Sequence, residues 1–547
     1  MVLLGNGVVY PQIFIVEVPE NLPEHMDWSL YHQPVPCISD KCNTELSQFK
    51  NLLAQNGYLK SNFKVRNEAD TFYVTTKIGP RYYWKEIKYS NVPPDVQNKI
   101  PEAHFINKFY SQTELDKLNE QIVVFYEENG FPFASVGLED IDVTSETIAA
   151  TVTADPGPMV FYGGLEINGG PKIRTLWLQK LLKVREGEKY EQSVVDAVEK
   201  KLDRIGLIPK KIHEIQFEDS LAKISMILPD SKPSSFDGAL GFLMNGEGNR
   251  PALAGFVDLS LGNVLNTWKK FDVSWQKTGP HVQELKTDLF YPAFVLPDIN
   301  FSMRFNLFKS DTTFINIRAE AEIRLPVLKN IDLILKEEYH KGNSLQGPDA
   351  SDLAGNFKMA YHGVGLAGKM DGFNFNLGSS VGNKLLDTAR AELKGLPHKS
   401  IQMKSWVMFN YLHPLFGGWK IYSILEGGAV TGPGLVYNDL FRLGGLKSIR
   451  GYNTWSLEAS EYVQFSLEPR YYFNNGAFFS LFSDFGLINN ALNGQKQFNW
   501  PFCLGGGLVL PVGTSARFNF LVAMNKEAIK RFEILNSKVH FGYLVNF

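Results

Sequence analysis

The sequence predicts three small α+β repeats of β-α-α-β-β order, followed by a 16-stranded antiparallel transmembrane β-barrel. Three observations carry this expectation. Up to residue 231 helical and strand periods alternate, and Gly79 and Gly157 mark a repeat of 78 residues. From about residue 235 the helical period fades, and apolar and polar residues alternate one by one. The chain then closes on such an alternating strand, with an aromatic residue, Phe547, at its end.

The repeats are read as residues 1–79, 80–157 and 158–231. In the first, Leu46, Phe49, Leu52 and Leu53 fall at helical spacing and Gly57 follows. In the second, Ser111 and Glu114 have capping-box spacing, Leu115, Leu118, Ile122, Phe125 and Tyr126 form one face, and Gly130 follows. In the third, Val194, Val198, Leu202 and Ile205 form the face and Gly206 follows. Glycine at that place suits the left-handed residue that ends a helix. Strands alternate after each helix: Phe72, Val74 and Thr76; Ile148, Ala150 and Val152; Ile224, Met226 and Leu228. The first repeat is the least regular, with an opening strand near Gln12–Val18 and a proline-rich stretch to Pro36.

The barrel is read over residues 235–547. Ile315, Ile317, Ala319, Ala321, Ile323 and Leu325 alternate with Asn316, Arg318, Glu320, Glu322 and Arg324. Val463, Phe465 and Leu467 alternate with Gln464, Ser466, Glu468 and Arg470. A charged face opposite an aromatic one suits a wet lumen inside and lipid outside. Trp268, Trp406, Trp419 and Trp500 fall near expected strand ends, where aromatic girdles sit. Strand openings are placed near 236, 251, 268, 281, 297, 312, 328, 354, 371, 401, 418, 461, 477, 501, 514 and 538. Segments 340–356 and 383–400 read as external loops, and 430–460 as a long loop between the eleventh and twelfth strands.

Composition narrows the function classes. A chain of 547 residues exceeds a single core. A net charge of −3 gives no basic excess for nucleic acid. No apolar run is long enough for a membrane helix, a test that alternating strands escape. There is no Gly-x-Ser-x-Gly elbow, no His-Glu-x-x-His and no paired Cys/His spacing, so no catalytic residue, metal or cofactor is expected. Cys37 and Cys42 are close enough to pair in an oxidising compartment, or stand as two unlinked thiols; Cys503 has no obvious partner. The N-terminus lacks the charged start and cleavage site of a signal peptide, which for an exported chain points to a mature or trimmed form.

Two charged residues stand out beside glycines and aromatics: Arg450 in Ile449–Tyr452 (IRGY) and Asp484 in Phe482–Gly486 (FSDFG). If the loop folds into the lumen, Arg450 needs an acceptor, because an unpaired buried charge is costly. Asp484 is the first candidate and Glu468 the second; a bidentate contact would fix the loop at one depth. Gly451 would let the backbone pass close to the wall, and Tyr452 could pack against it. The bland alternative is a solvated loop arginine and an unrelated lumen aspartate.

The repeats resemble polypeptide-transport-associated (POTRA) domains. Together with the strand count, the IRGY loop, the FSDFG strand and the terminal Phe547, the chain resembles the BamA/TamA-like outer-membrane assembly superfamily over nearly its whole length. IRGY resembles the loop-six motif Val/Ile-Arg-Gly-Phe/Tyr, and FSDFG the strand motif Phe-x-Asp-x-Gly. Three units favour TamA over BamA within it. The resemblance implies a bacterial outer-membrane protein with its repeats in the periplasm. It would insert or export unfolded outer-membrane or secreted client polypeptides, in contact with outer-membrane lipid. A lipoprotein or periplasm-spanning partner is left open. Gly238 and Gly241 on the first barrel strand, with Gly542 and Phe547 on the last, would mark a weak lateral seam. A two-partner secretion transporter of the same superfamily is the second reading, disfavoured by the repeat count and by the lack of a plug helix. A passive porin or barrel enzyme is the third; a porin would not need the repeats.

Overall fold

The computed structural model describes residues 12–17, 35–37, 39–68, 71–207, 211–228, 232–244, 251–278, 282–310, 312–328, 330–345, 354–370, 372–388, 391–392, 395–474, 476–492, 497–513, 515–531 and 537–546. The chain divides into two compact units. One holds residues up to Gly164 with Val184–Ala197 and Glu214–Ile224; the other holds Leu165–Lys183, Val198–His213 and Ser225–Phe547.

Three small sheets precede the barrel. The first contains β1 (Gln12–Glu17), β2 (Val35–Cys37), β3 (Asn62–Glu68) and β4 (Thr71–Lys77) in the order β2-β1-β4-β3, with α1 (Ser39–Gln55). Its order is therefore β-β-α-β-β among the described residues, not β-α-α-β-β. Phe49 and Leu53 of α1 are fully buried against Val74 and Phe14. Cys42 lies in this core and is disulfide-bonded; the side chain of Cys37 lies outside the described residues.

The second sheet has the expected order: β5 (Tyr83–Ser90), α2 (Pro94–Lys99), α3 (Gln112–Glu127), β6 (Ser135–Val143) and β7 (Thr147–Asp155), paired β5-β7-β6. Leu115, Leu118 and Ile122 of α3 pack on Trp84, Ile148 and Val152. Each such buried side chain stabilises the unit by about 1.5–3 kcal/mol. The capping box is not formed. Ser111 occupies the N-cap without a side-chain cap bond, and the Glu114 carboxylate turns to His104 instead, 3.1 Å away. The third sheet holds β8 (Phe161–Asn168), β9 (Lys211–Glu218) and β10 (Leu221–Ile227) in the order β8-β10-β9, with α4 (Thr175–Leu182), α5 (Gln192–Asp196) and α6 (Val198–Arg204). Strands β5 and β8 open at Tyr83 and Phe161, with the same spacing as Gly79 and Gly157. After α3, Gly130 has φ +98°, the left-handed turn that a β-carbon would strain.

The barrel wall runs β11 (Ser235–Met244), β12 (Pro251–Val264), β13 (Lys269–Lys277), β14 (Gln283–Tyr291), β15 (Asn300–Ser310) and β16 (Phe314–Leu328). It continues through β17 (Ile331–Ser344), β18 (Phe357–Met370), β19 (Phe373–Leu386), β20 (Lys399–Pro414) and β21 (Trp419–Thr431). A loop then carries the two-stranded ladder β22 (Phe441–Leu443) and β23 (Leu457–Ala459). The wall resumes with β24 (Glu461–Asn474), β25 (Ala477–Asn490), the short β26 (Gln497–Asn499), β27 (Phe502–Val512), β28 (Ala516–Asn525) and β29 (Lys538–Asn546). Neighbours pair antiparallel, and β29 returns to β11 to close the cylinder. Each of the sixteen long wall strands opens within three residues of its expected position.

Alternation sets the two faces. Val463, Phe465 and Leu467 are exposed on the outside of β24, while Glu468 is buried on the inside. Two expectations about the wall fail. Trp406 is not near a strand end: it lies inside β20, on the face that carries Gln402 and Lys404. Its indole N–H donates to Asn376 Oδ1 at 2.8 Å, and the Lys336 ammonium lies 4.7 Å from its ring centroid. Its ring occupies the space left by the absent side chain of Gly378 across the ladder. The external loops are also shorter than 340–356 and 383–400, because β17 runs to Ser344 and β19 to Leu386. Pairing of Phe314 with Ser344 carries the hairpin outward through His340–Ser344 despite their polarity.

Candidate functional site

Thr431 and Glu461 bound the long loop, which turns into the barrel and touches its inner wall. At its tip, Arg450 is 9% exposed. Its Nε donates to Asp484 Oδ2 at 2.9 Å and its Nη2 to Asp484 Oδ1 at 2.6 Å. Nη1 donates to Glu468 Oε2 at 2.7 Å, and Nη2 also reaches Ser466 Oγ at 2.8 Å. The backbone N–H of Arg450 donates to Asp484 Oδ2 at 3.0 Å. The guanidinium lies over the Phe482 ring, 3.5 Å from its centroid. The contact with Asp484 is thus bidentate, and the loop backbone joins it.

Sheet geometry assembles the acceptors. In the β24–β25 ladder Ser466 stands opposite Asp484, and Ser466 Oγ–H donates to Asp484 Oδ1 at 2.7 Å. Glu468 lies two residues along the same face and also accepts from Arg470 Nε at 2.8 Å. Two guanidinium and two carboxylate groups therefore balance within one cluster. Pairing within a cluster of no net charge offsets the desolvation cost that a lone buried ion would bear in full.

Small residues let the loop lie against the wall. A β-carbon on Gly451 would fall 2.7 Å from Cys503 Cβ and 2.8 Å from Asn525 N. One on Gly486 would fall 2.7 Å from Ile449 Cδ1. Ile449, Phe482, Cys503 and Ala523 form a buried apolar cluster, with Tyr452 packed against it. The Phe502 N–H donates to Tyr452 Oη at 3.4 Å. Cys503 is a free thiol, and its S–H donates to Asp484 Oδ2 at 3.2 Å. Sequence reasoning missed Ser466 and Cys503. Alternation puts Ser466 on the face of Glu468, which could have named it; Cys503 depended on the β25–β27 register, which a sequence does not display.

The seam residues occupy a different place. Strands β11 and β29 pair only from Ser235–Asn546 to Asp237–Leu544. By contrast, β11 pairs with β12 from Ser235 to Met244 along its whole length. Gly238 and Gly241 lie in the part of β11 that has no register partner on β29. Gly542 pairs with Asn519 of β28, and a β-carbon there would meet Asp237 Oδ2 at 3.7 Å. Phe547 lies outside the described residues. The lumen holds a cavity of about 1010 Å³ lined by charges of both signs, among them Asp258, Arg304, Glu320, Lys404 and Arg450.

No family model matches the sequence, and no curated protein does. Solved structures do. CdiB from Escherichia coli is similar at a TM-score of 0.56 and 11% identity, over 93% of this chain and 97% of that one. CdiB from Acinetobacter baumannii is similar at 0.53 and 13%, over 93% of this chain and 98% of that one. BamA from Haemophilus ducreyi lacking POTRA domains 1–3 is found at 0.43 and 14%, over 84% and 99%, too distant to add to the comparison. At such identities the likeness is one of fold. The chain shares the fold of the two CdiB structures, small α+β units followed by a sixteen-stranded antiparallel β-barrel.

Proposed function

We propose that the protein inserts or translocates polypeptide clients at the bacterial outer membrane, with its repeats in the periplasm, and that clients enter lipid through the seam between β11 and β29. The short β11–β29 ladder carries this reading. Beyond Asp237 the backbone groups of β11 that face β29 have no ladder partner there, so an incoming strand can add to that edge by β-augmentation. Backbone hydrogen bonds give affinity that tolerates many client sequences. The free energy comes from the client, whose own backbone groups must be satisfied in lipid. The action is not enzymatic and draws on no nucleotide or cofactor.

In this reading Arg450, Gly451 and Tyr452, with Asp484 and Glu468, hold the loop at fixed depth while the seam works. The edge strands β3, β6 and β9 of the small sheets present the same kind of pairing surface to a client on its way. A cross-link tests the seam. Phe236→Cys with Val545→Cys sits at a paired position; oxidised, it should abolish client insertion, and reduction should restore it. Undiminished insertion by the oxidised form would sink the lateral route.

A second reading, a two-partner secretion transporter, is favoured by the coverage of both CdiB structures. Depleting the protein in its native organism separates the readings. Loss of many outer-membrane barrels would support a BamA-like role and loss of a few a TamA-like one. Loss of one secreted protein would support the second reading.

A further inference from the structure

The long loop is tied to the wall at a second place, on strands other than those that hold Arg450. Asn438 is 1% exposed and uses both ends of its amide. The Gly355 N–H donates to Asn438 Oδ1 at 2.8 Å, and Asn438 Nδ2 donates back to Gly355 O at 2.9 Å. Asn438 Nδ2 also reaches Asn316 Oδ1 at 3.3 Å, and Asn316 Nδ2 donates to Asn438 O at 2.6 Å. The next residue, Asp439, forms a buried ion pair with Lys384 of β19. Lys384 Nζ also donates to Gly434 O at 2.9 Å and lies 4.3 Å from the Phe357 ring centroid. The Val436 N–H donates to Asp439 Oδ2 at 2.8 Å.

These bonds join the loop to β16, to β19 and to the segment entering β18. Apolar packing follows the same lines. Val436 is buried with Phe357, Met359, Tyr361, Leu386 and Ala391; Tyr437 and Trp455 pack on Phe308, Phe314 and Ala354. The loop therefore touches wall sectors on both sides of β17, near the turns that follow β17 and β19. Gly342 of β17 makes room for it and for the Phe357 ring of β18, since a β-carbon there would strike that ring and fall 2.5 Å from Asn438 Nδ2. Buried ionic and amide groups so fully engaged specify one arrangement of the segment. No hydrogen-bonding group of this cluster lies on β11, β12, β28 or β29.

We propose that Asn316, Lys384, Asn438 and Asp439 are positioning residues of an outer anchor that keeps the lumen shut to the outside. The anchor must break for a polypeptide to leave through the pore, but not for one to leave through the seam. This inference rests on the reading of the protein as a client-handling barrel, and its conductance and protease readouts need no client. Three variants of the full chain are compared in planar bilayers: Asn438→Ala, Gly342→Ala, and Lys384→Met with Asp439→Leu, which strands no buried charge. Each should keep a heat-modifiable barrel. Each should raise the frequency of open events about tenfold, the size expected from losing one or two net hydrogen bonds, and admit trypsin at Arg442 from the outer side. Seam-dependent client insertion should stay at parental level. Parental conductance and protection in folded variants would overturn the anchor. So would loss of the heat-modifiable barrel in all three, which would make these residues requirements of the wall. Impaired insertion alongside raised conductance would keep the anchor and overturn the independence of the seam. An insertion assay that fails even for the parent chain would count against the proposed function alone.

Discussion

Arg450 donates through its Nε, both terminal nitrogens and its backbone N–H, all toward Asp484, Glu468 and Ser466. Arg450→Ala would leave Asp484 and Glu468 with one cation, Arg470, between them. Removing one partner of a buried pair costs about 3–5 kcal/mol, and here the cost falls on the loop, because the two ladders that carry the acceptors remain paired. The expected outcome is a barrel that still shifts in heat-modified electrophoresis, a loop that becomes protease-sensitive near Lys447, and impaired function. Full activity with an ordered loop would show that the contact does no work. Lys at this position is a sharper probe, since an ammonium cannot reproduce the fork that meets both Asp484 oxygens; Arg450→Lys should recover little of the loss. Gly451→Val tests shape without charge. Its side chain would strike Cys503 and the Asn525 backbone, and overpacking of that kind costs roughly 1–3 kcal/mol. Rising reactivity of the buried Cys503 thiol toward a maleimide would report the displaced loop; a thiol that stays protected would show that the wall absorbs the change.

Among the elements, β11 combines full pairing to β12 with a short ladder to β29. If clients enter through the proposed seam, lengthening that ladder should slow their insertion. Gly238→Val adds a β-branched side chain to the part of β11 that has no partner on β29 and improves its strand preference. We expect lower insertion rates with unchanged barrel stability, read from client insertion kinetics and from the unfolding midpoint; faster insertion would show that the glycine is not there to weaken the edge. The wall was legible in the sequence because an apolar outer face and a charged inner face force a period of two, and that period survives in single residues such as Phe465 against Glu468. The pair Arg450–Asp484 was legible because a charge that enters the lumen needs an opposite one. Lys384 and Asp439 were not. Lys384 falls in the segment 383–400 that reads as an external loop, and only the extension of β19 to Leu386 and the fold of Val436–Leu440 onto it bury the ammonium. The short β26 and the β22–β23 ladder lacked the length that makes a period visible.

On the scale of the whole molecule, strand length varies around the barrel. Strands β13, β14 and β29 have 9 residues and β11 and β28 have 10. Across the cylinder β17, β18 and β19 have 14 residues and β20 has 16. A tilted strand needs about 9–11 residues to cross the hydrocarbon core. Apart from β12, which has 14 residues, the strands nearest the seam are just long enough to span, and the longer far strands hold the loop and its outer anchor. The tall sector can stay closed while the short sector meets the bilayer at its limit. A thicker bilayer would leave the short strands mismatched, at a cost of a fraction of a kcal/mol per Å, and relief by pairing with longer client strands would favour insertion only where the mismatch is small. Reconstitution into phosphatidylcholines of increasing chain length tests this. Client insertion should be fastest in the short-chain lipids and fall as thickness grows, while open-channel frequency stays level because the outer anchor lies on the tall side. Insertion that is independent of thickness would mean that the short strands carry no functional weight. A parallel change in both readouts would mean that seam and loop move as one.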